Sequence, residues 1–440
     1  MSPDSGLDAD SPPSDVGVDA AEDVGVDARQ PDAWAAPELV FQAFDTSPCP
    51  RLDLRPPRAR QLPADPTPRL LWSRTLAELG VEGEFIDGAL GSDGHIHVST
   101  VLFSHRHFEI DGGGALLGVG RSLAISKEPR GPMGGLVDGR VAEWATGGLR
   151  IDHTPPRPDS AQYALFEEGE RGVFDGVDVA STSDGFYAYR SSRQALRKFC
   201  ADGRAQWELR GFQYAPYLQV ESDDSVWLHA SPATDSQVVR VSAAGALVER
   251  VPWPEDVGHD GMGVLFAGDT RFVNARSLDA RSSIVVAVDE ESGAELHRIA
   301  VPFDDLYAFR PDPTGAIWVM ERHDARLTRY VNGVAVARTP AGLPIVLDDS
   351  ILLGDGSLVA LSFTAESAIV VHVMSDGLVA WTLPYTGSSN RMLLDVDGRL
   401  YVLGSSVHVL QTDVLPPTTR GCWQPRCSAQ ADRRIAALEE

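Results

Sequence analysis

Four histidines are the first residues whose spacing could do chemistry. His95, His97, His105 and His107 form two His-x-His pairs, the second starting eight residues after the first ends. Alternate residues of a strand share a face, so a hairpin joining the pairs would gather four imidazoles as a zinc site does. A plainer role stands beside that one. His97 falls in a slot that other parts of the chain fill with aromatic rings, and His95 follows a turn, where polar residues are ordinary.

Other groupings point less sharply. Glu167-Glu168-Gly169-Glu170, Asp289-Glu290-Glu291 and Asp304-Asp305 pair carboxylates, but in turn-like sequence where carboxylates are usually solvated. The serines form no Gly-x-Ser-x-Gly elbow. Gly112-Gly113-Gly114 and Gly118-Val119-Gly120 lie in β-type sequence, where glycine turns account for them, and not in a strand–helix phosphate loop. No catalytic residue and no cofactor follow from these patterns; neither pyrroloquinoline quinone nor calcium is called for. Two long connections, Pro252–Met262 and Asp152–Asp159, read as rim loops, with Trp253 and His259 as candidate ligand contacts or inert loop residues.

Four cysteines remain: Cys49, Cys200, Cys422 and Cys427. A local disulfide between Cys422 and Cys427, or one from Cys49 to the tail, suits an oxidising compartment; four free thiols are the alternative.

The bulk numbers narrow the partners. Across 440 residues the net charge is −25 and the hydrophobic fraction 43%. That charge argues against nucleic acid and anionic lipid surfaces, both of which need a basic face. No apolar run approaches the length that spans a membrane. Residues 1–36 read as a disordered acidic leader: residues 1–33 hold eight Asp, Glu22 and one Arg29, and Asp15-Val-Gly-Val-Asp-Ala20 recurs at residues 23–28. The leader resembles spacers that follow the lipidated cysteine of bacterial surface lipoproteins. A lipid anchor is expected if an export signal precedes Met1, and a cytosolic scaffold is the alternative.

The elements that must position all this are set by a repeat. A polar turn, often Asp-Gly, precedes a short β-type run with its second turn residue at 94, 139, 185, 224, 269, 315, 356 and 398. The period, in the low forties, is that of propeller blades. Three residues after each turn a recurring slot holds His97, Ala188, Trp227, Phe272, Trp318, Val359 or Tyr401. A second turn follows in each unit, as in Phe199–Trp207, Val241–Leu247 and Val373–Trp381, so each unit carries four strands. The last unit lacks its outer strand, and Leu70–Leu76 looks like an orphan one. The expected fold is therefore an all-β propeller of about eight four-stranded blades, with seven an alternative, closed by an N-terminal strand. An open stack of sheets or two smaller all-β domains is the competing arrangement. The expected organisation is leader 1–36, a Pro-rich connecting segment 37–69, the propeller 70–415 and a tail 416–440 with its cysteine pair.

At these residues the chain resembles the quinoprotein-dehydrogenase-like propellers, or pyrroloquinoline-quinone-like repeat proteins. Their outer hairpin reads Ala-x-Asp-x-x-Thr-Gly-x-x-x-Trp. Ala287, Asp289, Ser292 and Gly293 match it, with His297 in the Trp position; Cys200–Trp207 and Ser375–Trp381 are shortened versions. Trp423–Asp432 is similar to a Trp-rich peptide that flanks such propellers. Enzymatic members are similar in needing an adjacent cysteine pair, a calcium-binding acidic cluster and an Asp base, and this chain has no Cys-Cys pair. The resemblance thus implies the architecture and a non-catalytic scaffold of the cell envelope, periplasm or surface, with a protein or glycan partner. A quinoprotein-type or metal-assisted dehydrogenase, lyase or hydrolase is the alternative on the same fold.

Overall fold

The computed structural model describes residues 40–45, 47–49, 68–79, 84–90, 95–101, 106–121, 134–135, 141–145, 148–152, 162–163, 177–190, 195–200, 202–211, 219–221, 223–230, 237–252, 257–277, 282–289, 291–302, 306–321, 326–363, 368–385, 389–395 and 397–414. These residues form strands and turns, with no helix among them, and the strands group into eight antiparallel sheets. Sheets I to VII follow the chain: 84–121, 134–163, 177–210, 219–252, 257–302, 306–338 and 345–385. Sheet VIII takes three strands from 389–411 and its outermost strand, Arg69–Thr75, from the other end of the chain.

That strand closes a ring. Arg69 pairs with Gln411 and Thr75 with Ser406. The innermost strand of sheet VIII, Ser389–Leu394, lies against the innermost strand of sheet I, Glu84–Leu90. A core of Leu76, Ile96, Val98 and Phe108 with Tyr401, Leu403, Val407 and Val409 fills the seam. Similar cores sit between sheets III and IV, across V, VI and VII, and between VII and VIII. Burying apolar residues on both faces of each sheet explains why the strands read as near-continuous hydrophobic runs.

The expected turns supply positive φ where the hairpins need it, at Asp224, Gly268, Gly315, Gly356 and Gly398 in the inner hairpins and at Gly203, Gly245, Gly293, Gly333 and Gly377 in the outer ones. One frame shifts. In sheet III the amide of Thr182 bonds the carbonyl of Gly185, whereas Asp312 in sheet VI reaches one residue further, to Ala316. The shorter turn puts Tyr187, not the expected Ala188, in the aromatic slot. The motif residues Asp289 and Ser292 make the outer turn of sheet V: the Asp289 carboxylate accepts both the amide and the hydroxyl hydrogen of Ser292.

Cys49 is bonded to Cys200, not to the tail. Cys422 and Cys427 lie outside the described residues, as do the leader and the tail. The connecting segment also carries a strand that its sequence does not announce. Val40–Ala43 adds a fifth strand to the outer edge of sheet III, pairing antiparallel with Trp207–Arg210. Its burial pattern is exposed throughout, so no apolar periodicity marks it.

Candidate functional site

The polar residues with chemical potential are gathered by one repeated row. In seven of the eight sheets the slot residue of the second strand stands opposite a residue of the third, which stands opposite one of the fourth. The rows run His97–Glu109–Gly118, Tyr187–Lys198–Trp207, Trp227–Arg240–Glu249, Phe272–Ala287–His297, Trp318–Arg329–Ala337, Val359–His372–Trp381 and Tyr401–Val409–Trp72. The middle position is long and polar in five of the seven rows.

Those middle residues reach back to the inner turn of their own sheet. Lys198 Nζ lies 3.1 Å from Asp184. Arg240 donates to Asp223 and to Ser225 Oγ, both at 2.9 Å. Arg329 Nε donates to the buried Asp312 at 2.7 Å and its Nη2 to Thr314. His372 Nε2 is 3.1 Å from Ser357 Oγ. Each contact fastens the turn that shapes the next strand, and in the buried cases the partner keeps a charge from being stranded in a low dielectric.

The histidine cluster falls into the same scheme with the charges reversed. Glu109 is buried and holds His95 Nδ1 at 2.8 Å. His95 follows its turn as Ser225 and Ser357 follow theirs. Buried His97 stands opposite Glu109, and His107 pairs with Ser99 two residues along the same face. The hairpin therefore forms as expected, but the close partner of His95 is a carboxylate. His105 lies outside the described residues, and among those described no three His, Cys, Asp or Glu side chains come together as a metal-binding group.

The remaining candidates divide similarly. Trp253, Glu167–Glu170 and Asp304-Asp305 lie outside the described residues. His259 is not in a rim loop: it sits on the innermost strand of sheet V, Val257–Ala267, opposite Ala275 and just before a register break. Gly112 and Gly114 form the outer turn of sheet I. Gly112 accepts the Trp72 indole N–H at 3.1 Å, and Gly114, at φ 85°, lies under the Trp72 ring where a Cβ would meet it at 2.8 Å. Trp207 does the same across sheets III and IV, donating to Ala243 at 2.9 Å.

Burial sets the titration of the seam residues. It pushes the Asp395 carboxyl above its ordinary range, against the amide hydrogen bond from Arg399. It also pushes the Tyr401 phenol up, and Tyr401 donates to Asp395 Oδ2 at 3.1 Å. His372, His297 and His408 are held below the usual imidazole value by burial, in His372 against the pull of Asp413 and Asp355. These groups hold sheets together and face neighbouring side chains.

A different kind of site lies on the outer rim. Where Val40–Ala43 joins sheet III, the amides of Phe44 and Asp45 both bond the carbonyl of Gln206. Asp45 pairs with Arg204 at 2.6 Å. Phe41 lies on Gly245, in the outer turn of sheet IV, and its ring centroid is 6.1 Å from that of Trp207. An extended segment is thus held by ladder bonds, one aromatic seat and one ion pair, the elements of strand-addition recognition. No sequence signal marks this site, because it depends on an edge made by residues 164 to 170 positions away.

No protein-family model matches the chain, and no curated protein matches it. Solved structures do. The C-terminal WD40 domain of Sif2 is 9% identical with a TM-score of 0.53, over 78% of this chain and 98% of that one. BamB from Moraxella catarrhalis is 12% identical with a TM-score of 0.47, over 84% and 98%. Virginiamycin B lyase from Staphylococcus aureus is 10% identical with a TM-score of 0.45, over 78% and 99%. With the sheet order and the closing strand, the Sif2 likeness establishes a β-propeller.

Proposed function

We propose that the chain is a non-catalytic binding scaffold of a bacterial cell envelope or surface, with a protein partner favoured over a glycan. The observation that carries the reading is the strand addition at sheet III, where the fold takes up an extended polypeptide on a blade edge. The residues that offered chemistry, His95 and Glu109 first, are engaged in fastening turns. The Cys49–Cys200 disulfide supports an oxidising compartment. Among the described residues no helix is long and apolar enough to cross a membrane.

Kinship with the quinoprotein-dehydrogenase-like propellers is part of the proposal. It is supported by the Asp289–Ser292 turn and by Trp207 and Trp72 docking on the next sheet, which give that family's outer-hairpin pattern a physical meaning here. The test is dye-linked turnover. Purified protein supplied with pyrroloquinoline quinone and calcium is expected to stay folded and to oxidise no alcohol or sugar; robust turnover would overturn the scaffold reading.

A further inference from the structure

The outer rim is guarded against strand addition nearly everywhere, and the guards leave one edge open. In seven sheets the outermost strand carries a one-residue bulge at the same place, at Leu117, Gln206, Val248, Leu296, Val336, Ala380 and Leu71. A bulge breaks the ladder an added strand would need. At sheet III the regular ladder of the added strand accordingly covers residues 207–210, and at the bulge the amides of Phe44 and Asp45 share the one carbonyl of Gln206.

At the position equivalent to Arg210, three residues past the row residue, sheets IV, VI and VII carry Pro252, Pro340 and Pro384. Proline is tolerated in an outermost strand where the missing N–H would face outward, so each removes a donor that a fifth strand would use. In sheet VIII the equivalent Thr75 amide is already bonded to Glu78 Oε2 at 2.8 Å. Sheet I has Gly118 and Gly120 in the stretch, which weaken it as a template. Sheet II has a two-residue outer strand.

Sheet V shares the bulge, at Leu296, as sheet III does at Gln206, but has none of the other guards. Its outer strand, Glu295–Pro302, is eight residues long, and Ala300 stands where the prolines stand. Among the described residues no strand pairs with its outer side. Leu296, Arg298 and Ala300 are exposed, and Gly333 of the next sheet's outer turn lies against the Arg298 carbonyl and beside His297; the outer turn of sheet IV likewise lies against sheet III, with Ala243 accepting from Trp207 and Gly245 under Phe41. We propose that residues 297–301 form a docking edge for an extended segment of a protein partner, added antiparallel as Val40–Ala43 is added to sheet III. The inference rests on the scaffold reading.

The chemistry of that segment follows from sheet III. An aromatic residue opposite Ile299, in the place of Phe41, seats over His297 and Gly333. Four residues on, the strap's Asp45 meets Arg204; the corresponding end of sheet V carries exposed Glu291, Asp289 capping the turn through Ser292, and Glu295 paired with Arg298, three carboxylates to one cation, so the partner presents Lys or Arg there. A second copy of this chain, at net charge −25, is disfavoured.

The experiment uses the full chain and a fluorescein-labelled peptide, Val-Phe-Gln-Ala-Phe-Lys, followed by fluorescence anisotropy. Saturable binding is expected, at least tenfold weaker to Ala300→Pro and severalfold weaker when the peptide's Lys is replaced by Asp. Ala300→Pro copies what three other sheets tolerate, so its melting temperature should match the wild type. Equal affinity for both proteins, or no binding to the wild type, overturns the proposal. So does self-association lost in Ala300→Pro, which would identify a second copy. Hydrogen-exchange protection of the 298 and 300 amides in the free chain would place its own tail or leader on the edge and would overturn the proposal as well. None of these failures bears on the dye-linked assay, so the broader reading stands or falls separately.

Discussion

Trp318 in sheet VI donates its indole N–H to the carbonyl of Gly356, the turn residue of sheet VII, at 3.0 Å. Tyr187 makes the same reach from sheet III to Asp224 in sheet IV. The slot ring thus fills the gap between sheets and also caps the neighbour's turn, joining packing to hydrogen bonding at one position. Trp318→Ala should cost about 3–5 kcal/mol, and Trp318→Phe, which keeps most of the volume, about 1–2 kcal/mol. Urea unfolding checks both; equal losses would mean that the indole bond contributes nothing.

The disulfide closes a loop of 151 residues between Cys49 and Cys200. Chain entropy puts its contribution at up to about 5 kcal/mol. Reduction, or Cys49→Ser with Cys200→Ser, should lower the melting temperature and raise amide exchange in residues 40–43. Peptide mapping without reductant should recover Cys49 linked to Cys200; any other pairing defeats the prediction.

Acid should weaken the fold through its buried imidazoles. In the unfolded chain His372 and His408 take a proton near 6.5, whereas burial holds them lower in the fold. As pH falls below 6.5 the unfolded state binds more protons, so stability present above that pH is lost on the way down. Asp395 runs the other way: its raised value makes its contribution present below 3.8 and lost as pH rises. His372→Gln should flatten the loss of stability as pH falls below 6.5, and Asp395→Asn should remove the opposite loss that sets in as pH rises above 3.8. An unaltered slope in His372→Gln would count against the burial argument.

Glu109→Ala should cost about 2–4 kcal/mol, because it leaves His95 and His97 facing a buried gap. Elemental analysis of the native protein separates fastening from coordination. Stoichiometric zinc, lost in a His95→Ala, His105→Ala double variant, would restore the metal reading.

The ring is legible in the sequence because its signals are local. Each Asp-Gly turn carries its own backbone requirement, and Leu70–Leu76 lacks any neighbour in sequence to complete a sheet. The slot in sheet III falls one residue early, on Tyr187, because turn length, unlike turn composition, is not written in the residues themselves. Pairing Cys49 with Cys200 requires knowing that Val40–Ala43 lies on sheet III, a long-range fact without periodic pattern. The histidines resemble a metal site because residue type and spacing do not reveal that Glu109, one strand away, occupies the middle of a row. The prolines at 252, 340 and 384 are visible as letters, but their common meaning emerges only once the register aligns them.

Arg69–Thr75 has a temporal consequence. The strand that completes the final sheet emerges early in synthesis, and its partner, Ser406–Gln411, about 330 residues later. At roughly 5–20 residues per second, that is a wait of about 15–65 seconds. During it a seven-residue segment with Leu70, Leu71 and Trp72 has no mate. Until the last strand is delivered the final sheet stays incomplete and the ring cannot close.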